Sequence, residues 1–159
     1  MDETSAWVRI ERDFDAPIET IWAMWTDPDL FASWYGPMGM SVPEIAIDLR
    51  VGGQRKLCMS MESPERSMKM WFTGVYKEIS APHRLVYTEA MCDEDGTLIS
   101  PSSMGMPDGT PDITEVIIDL TDIGGRTRMT MIHKGVPEGS PGEGGWRQAF
   151  TKLDARLSA

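Results

Sequence analysis

Polar and apolar residues alternate with period two over most of this chain, and that alternation predicts strands. In Trp7–Phe14 the set Val8, Ile10, Arg12 and Phe14 faces one way, with Trp7, Arg9, Glu11 and Asp13 facing the other. Pro43–Leu49 sets Ile45, Ile47 and Leu49 against Glu44, Ala46 and Asp48. Gly52-Gly53 then turns the chain into Gln54–Glu62, which makes a hairpin. There Leu57, Met59 and Met61 oppose Lys56, Cys58 and Ser60. Ser67–Ile79 carries Met68, Met70, Phe72, Gly74 and Tyr76 on one parity and Trp71, Thr73 and Val75 on the other. Arg84–Cys92 sets Leu85, Tyr87 and Met91 against Arg84, Val86, Thr88 and Ala90. Thr114–Thr121 directs Val116, Ile118 and Leu120 one way, and Arg126–Lys134 does the same with Thr127, Met129, Met131 and His133.

The period changes in three places. After Asp15-Ala16-Pro17 the residues Ile18, Ile21, Trp22 and Trp25 make the stripe of a short helix, with Asp15 or Ala16 near its N-cap and Pro17 in its first turn. Asp27-Pro28 stops it and opens a second, with Leu30, Phe31 and Trp34 on one side. Near the end, Trp146, Ala149, Phe150, Leu153 and Leu157 recur at i, i+3, i+4, i+7 and i+11. The glycines of Pro141-Gly-Glu-Gly-Gly145 place the start of that helix at Gly145 or Trp146. Asp93–Asp112 breaks the rhythm with Asp, Gly, Pro and Ser; its apolar beads Met104 and Met106 suit either a solvated insertion or a lid over an opening.

The order is strand, two short helices, six strands, long helix. Short turns between sequential strands make an antiparallel meander. Each strand has an apolar face, and only the final helix is long enough to cover it. The expected fold is α+β: a curved antiparallel sheet of six to seven strands around a C-terminal helix, in one domain over residues 1–159.

A net charge of −10 opposes binding to nucleic acid or an anionic membrane. No run is apolar and long enough to span a bilayer, and the start lacks a basic region followed by an apolar core; a cytoplasmic protein is expected. Cys58 and Cys92 read as small buried hydrophobes. Two histidines and no acidic cluster at ligand spacing give no metal site, and no Gly-rich phosphate loop or nucleophile motif is present, so no cofactor is expected.

The candidate chemistry lies on the covered face. An apolar stripe is ordinarily packing, but a sheet curved around one helix rarely fills its concave side. A cavity lined by Trp34, Met59, Met61, Phe72, Tyr76, Tyr87, Ile118, Met129, Met131, His133, Trp146 and Phe150 is expected. Methionine suits such a site because it is flexible and polarizable. His133 has the parity of Met129 and Met131, and so serves as a core histidine, a polar anchor, or an acid/base. An enzyme of cyclase, dehydratase or hydrolase type would use His133 with Tyr76, Tyr87 or Glu89. Arg12 and Glu89 share parity with apolar neighbours; they are strand-end charges or a buried pair.

The stretch FDAPIETIWAMWTDPDLFASWYGP, from Phe14 to Pro37, resembles the opening of the AHSA1 family, proteins related to the C-terminal domain of the Hsp90 ATPase activator Aha1. The resemblance continues in Asp48–Gly53, in Gly74–Thr88 (GVYKEISAPHRLVYT), in Thr130–Gly135 and in Gly145-Trp146, in that order along nearly the whole chain. Trp34-Tyr35 stands where the family often has two tryptophans, and the Asp93–Asp112 loop is longer than usual. The resemblance implies the helix-grip fold of the START-like, Bet v 1-like (SRPBCC) superfamily and a deep cavity for a hydrophobic or aromatic small molecule, lipid-like or polyketide-like. The superfamily includes lipid carriers, polyketide cyclases and toxin-sequestering proteins, and fold alone does not choose among them. The family name also implies a chaperone-associated or stress-related interaction module, for which Trp7, Trp71 and the loop methionines would supply an exposed apolar patch; the absence of the activator's N-terminal domain argues against it.

Overall fold

The computed structural model describes residues 7–62, 67–100 and 111–158. Seven strands, β1 (Trp7–Phe14), β2 (Met40–Ile47), β3 (Gln54–Glu62), β4 (Ser67–Ser80), β5 (Arg84–Cys92), β6 (Ile113–Asp122) and β7 (Thr127–Pro137), form one antiparallel sheet in the order β1-β7-β6-β5-β4-β3-β2. The helices are α1 (Ile18–Thr26), α2 (Pro28–Ala32) and α3 (Pro141–Leu157). Consecutive strands are neighbours except at one edge, where β1 pairs with β7.

The register carries the alternation across the sheet. Val8, His133, Val116, Tyr87 and Tyr76 form one cross-strand row, and Ile10, Met131, Ile118 and Leu85 the next. All but His133 are at most 3% exposed. This face packs on α1, α2 and α3, whose inward residues Ile21, Trp25, Phe31, Phe150 and Leu153 complete the core together with Trp34 of the loop after α2. Burying an apolar side chain of this size contributes about 1.5–3 kcal/mol, so the core supplies most of the driving force.

Several expectations change. Pro17 itself is the N-cap of α1, in extended backbone with no side-chain cap. Asp27 does separate the two short helices, and its Oδ1 accepts from the amides of Asp29 (2.9 Å) and Leu30 (3.1 Å). Strand β2 starts at Met40 and ends at Ile47; Leu49 lies in the turn, exposed. Helix α3 starts at Pro141, four residues before Gly145. Proline tolerates the first helical position because no partner is needed there for an N–H. Glu143 supports that turn by accepting from the Gly139 amide (3.0 Å) and pairing with Arg147 (2.8 Å).

The described start of the Asp93–Asp112 segment, residues 93–100, is less irregular than its composition suggests. Asp93 Oδ1 accepts from the amides of Asp95 and Thr97, and Leu98 bridges back to Cys92. Met104 and Met106 lie outside the described residues. Cys58 and Cys92 are buried and free. Each is registered with Trp71 of the intervening β4. Two strand spacings, roughly 9.5 Å, separate them, too far for a disulfide.

Candidate functional site

The site lies where three elements meet: the N-terminal half of α3, the loop after α2, and the β3–β5–β7 region of the sheet. A cavity of about 170 Å³ is lined by Tyr35, Gly36 and Pro37 from the loop, Met59, Glu89 and His133 from the sheet, Val136 at the end of β7, and Pro141, Gly142, Gly145, Trp146 and Ala149 from α3. The small residues of α3 make room for it. A Cβ on Gly142 would stand 2.6 Å from Val136 Cγ1, and one on Gly145 would stand 3.3 Å from Pro37 Cγ.

The loop is latched to α3. Lys152 Nζ donates to four backbone carbonyls, those of Tyr35 (3.2 Å), Gly36 (3.0 Å), Pro37 (3.4 Å) and Met40 (3.2 Å). Gln148 Oε1 accepts from the Met38 amide (2.9 Å). Backbone carbonyls need such donors when they leave water; that of Pro37 also accepts from the Met40 amide (3.1 Å).

His133 is tied at both ring nitrogens. Trp146 Nε1 has only a hydrogen to offer, so Nδ1 at 2.9 Å is the acceptor. Thr114 Oγ1 donates to the Glu89 carbonyl (3.1 Å), leaving its lone pairs for the Nε2–H of His133 (2.8 Å). The ring is therefore the neutral Nε2–H tautomer. Burial lowers its pKa, against a smaller upward pull from Glu89.

Beside it stands a buried polar layer. Glu89 is 6% exposed and Arg55 is 2% exposed. The Tyr35 hydroxyl donates to the Glu89 carboxylate at 3.3 and 3.5 Å. Arg55 lies over the Tyr87 ring, its Cζ 3.9 Å from the centroid, and 5.3 Å from that of Phe31. Among the described residues Arg55 makes no ion pair within 4.0 Å, and its Nε has no hydrogen-bond partner. Burial pulls its pKa down, and Tyr87, Tyr76 and then Glu89 outweigh that and hold it above the ordinary value. Burial pushes the phenols of Tyr35, Tyr76 and Tyr87 upward, with Glu89 adding to the rise at Tyr35 and Tyr87 and Arg55 opposing it at all three. The Tyr76 and Tyr87 hydroxyls lack hydrogen bonds of good geometry among the described residues, although Arg55 is near enough to Tyr76 to favour its ionised form.

Of the expected lining residues, Met59, His133 and Trp146 border the cavity. The others do not. Trp34 is fully buried, its Nε1 donating to the Met24 carbonyl (2.9 Å). Phe150 packs among Trp25, Trp34 and Trp146. Ile118, Met129 and Met131 fill the core, Tyr76 and Tyr87 meet edge to face at 6.1 Å, and Phe72 and Met61 are part-buried. Arg12 pairs with Asp154 of α3 (3.2 Å) and not with Glu89. It sits near the edge of the sheet, within reach of solvent, whereas Glu89 is central. Sequence reasoning missed Arg55, although it shares the parity of Leu57 and Met59. It also missed Pro141, Gly142 and Gly145, for which Ser140-Pro-Gly-Glu143 was a helix-start signal. Tyr35, Gly36 and Pro37 come from a loop that has no period to read.

For the interaction reading, Trp7 and Trp71 are part-buried. No helix among the described residues is long and apolar enough to cross a membrane. Among those residues no three His, Cys, Asp or Glu side chains come together as a metal site.

An antiparallel sheet gripping a C-terminal helix, with an aromatic cluster beneath the helix, defines a helix-grip protein. The sequence model of the Activator of Hsp90 ATPase homolog 1-like protein (AHSA1) family matches residues 15–158, and the chain belongs to that family. Solved structures agree on the fold. A protein from Mycobacterium smegmatis superposes with a TM-score of 0.77 at 22% identity, over 99% of this chain and 94% of its own. One from Chromobacterium violaceum gives 0.76 at 24% identity, over 98% and 99%. The AHSA1 protein from Silicibacter pomeroyi gives 0.70 at 22% identity, over 96% and 98%. No curated protein matches the sequence.

Proposed function

We propose that the protein binds a hydrophobic or aromatic small molecule in the cavity between α3 and the sheet. The observation that carries this reading is the cavity itself: about 170 Å³, with apolar walls and a few converging polar groups. Its size suits one ring or a short branched chain, since a cavity of about 150 Å³ is enough for benzene. A long acyl chain would need the loop to move. Burial of apolar ligand surface contributes about 25 cal/mol per Å², before the cost of association.

An acid/base role for His133 is less well supported. Both ring nitrogens are engaged by Trp146 and Thr114, so neither is free for a substrate. Of its suggested partners Tyr76, Tyr87 and Glu89, only Glu89 borders the cavity.

Trp146 on the cavity wall gives the test. Native mass spectrometry of the purified protein, followed by titration with single-ring aromatics and short acyl compounds, should find a retained mass or saturable quenching lost in Trp146→Phe. No bound mass and no saturable response with either class would sink the proposal.

A further inference from the structure

We infer that the ligand is a neutral molecule of about one ring that carries an O–H or N–H donor, and that the Glu89 carboxylate receives that donor; this rests on the binding reading above. Glu89 borders the cavity and is nine-tenths buried. A carboxylate has about four acceptor positions. Among the described residues only the Tyr35 hydroxyl reaches this one from another side chain, at 3.3 and 3.5 Å, both longer than a strong bond to a carboxylate. The other polar side chains on the wall are already engaged: His133 through both nitrogens, Trp146 through its N–H, and Tyr35 through its hydroxyl on Glu89. The acceptor capacity presented to a ligand is therefore concentrated at Glu89.

Charge accounting selects a neutral ligand. Arg55 contributes one positive charge and Glu89 one negative, both in the buried layer. His133 is neutral, since Nδ1 accepts from an N–H, and the surrounding tyrosines are neutral phenols. The Lys152 ammonium is spent on backbone carbonyls behind the wall, so the layer of Arg55 and Glu89 is balanced before any ligand enters. A carboxylate would set a second anion against Glu89, and an ammonium would set a second cation beside Arg55 against a single carboxylate. Either would bring an uncompensated charge into a water-poor site. A neutral O–H or N–H keeps the balance and gains a hydrogen bond to a charged acceptor.

Four ring-sized probes test this with the full chain: phenol, toluene, benzoate and benzylammonium. Binding is read from the indole N–H signal of Trp146, identified by its loss in Trp146→Phe. Phenol should bind roughly tenfold or more tighter than toluene, despite toluene's greater hydrophobicity. Both ions should bind more weakly than phenol. In Glu89→Gln the preference for phenol over toluene should fall below about threefold, with toluene affinity retained. Toluene matching phenol in the wild type would overturn the donor assignment and leave the cavity reading standing. Tightest binding by benzylammonium or benzoate would overturn neutrality in the same way. Failure of all four probes would overturn both. The wild-type comparison decides even if Glu89→Gln does not fold.

Discussion

The indole N–H of Trp146 donates to Nδ1 of His133 at 2.9 Å, joining helix to sheet at the cavity wall. One bond thereby settles which ring nitrogen carries the proton. Nitrogen-15 NMR should find His133 as the neutral Nε2–H tautomer at pH 7. Trp146→Phe removes the donor while keeping much of the ring, and should cost about 1–3 kcal/mol in urea unfolding. A cationic His133 at pH 7 would contradict the network.

The same histidine makes stability depend on acid. Its folded pKa lies below the ordinary value of about 6.5, chiefly because burial disfavours the cation. The unfolded chain then binds the proton first. His133's contribution is complete above about pH 6.5, is lost as pH falls from there to the folded pKa, and changes no further below it. Within that window the slope approaches about 1.4 kcal/mol per pH unit. His133→Gln can still accept from Trp146 but cannot titrate. The wild-type minus variant stability should therefore decline between pH 7 and 5; a flat difference would refute the assignment.

Lys152→Met leaves four loop carbonyls without their shared donor and should cost about 2 kcal/mol. Lys152→Arg should not restore the loss, because a planar guanidinium cannot converge on four carbonyls as a compact ammonium does. Thermal unfolding reads both variants, and hydrogen exchange over residues 35–40 should rise in each.

Gly145→Ala separates stability from function. Alanine favours the helix by up to about 1 kcal/mol, while its Cβ presses on Pro37 at 3.3 Å and narrows the cavity. The melting temperature should hold or rise while affinity for a ring-sized probe falls. Unchanged affinity would show that the probe binds elsewhere.

Arg55→Met should cost about 3 kcal/mol or more, since it leaves Glu89 as a buried carboxylate without a nearby cation. Adding Glu89→Gln should recover at least about 1 kcal/mol. Additive costs in urea unfolding would mean that the two groups do not sense each other.

The sheet was legible because a buried face forces period-two alternation, and the bounds of β1, β3 and β5 fall where the pattern starts and stops; in β3 and β5 the other parity is covered as well, at Cys58, Ser60, Val86 and Ala90. The start of α3 was not, because its glycines lower helix propensity while tertiary contact favours them: Gly142 fits under Val136 where a side chain would collide. At the site, parity alone placed Met59, Glu89 and His133 inward. It did not distinguish a residue bordering space from one bordering another side chain. Trp34 and Phe150 share the aromatic character of Trp146 but are enclosed by one another's rings. The distinction depends on how deep α3 lies, which its small residues determine and no strand pattern encodes.

The pairing of β1 with β7 has a consequence for synthesis. Of these seven strands β1 is made first, and among the described residues its sheet partner is β7, residues 127–137. Until these appear, Val8, Ile10 and Phe14 have no sheet to join, and the inner face waits longer still for α3. The nascent chain therefore carries exposed apolar strands until β7 and α3 have been made, the circumstance in which sheet-rich proteins aggregate or engage folding helpers. A stop codon anywhere before α3 would yield a chain that cannot close its core, not a weaker version of this protein.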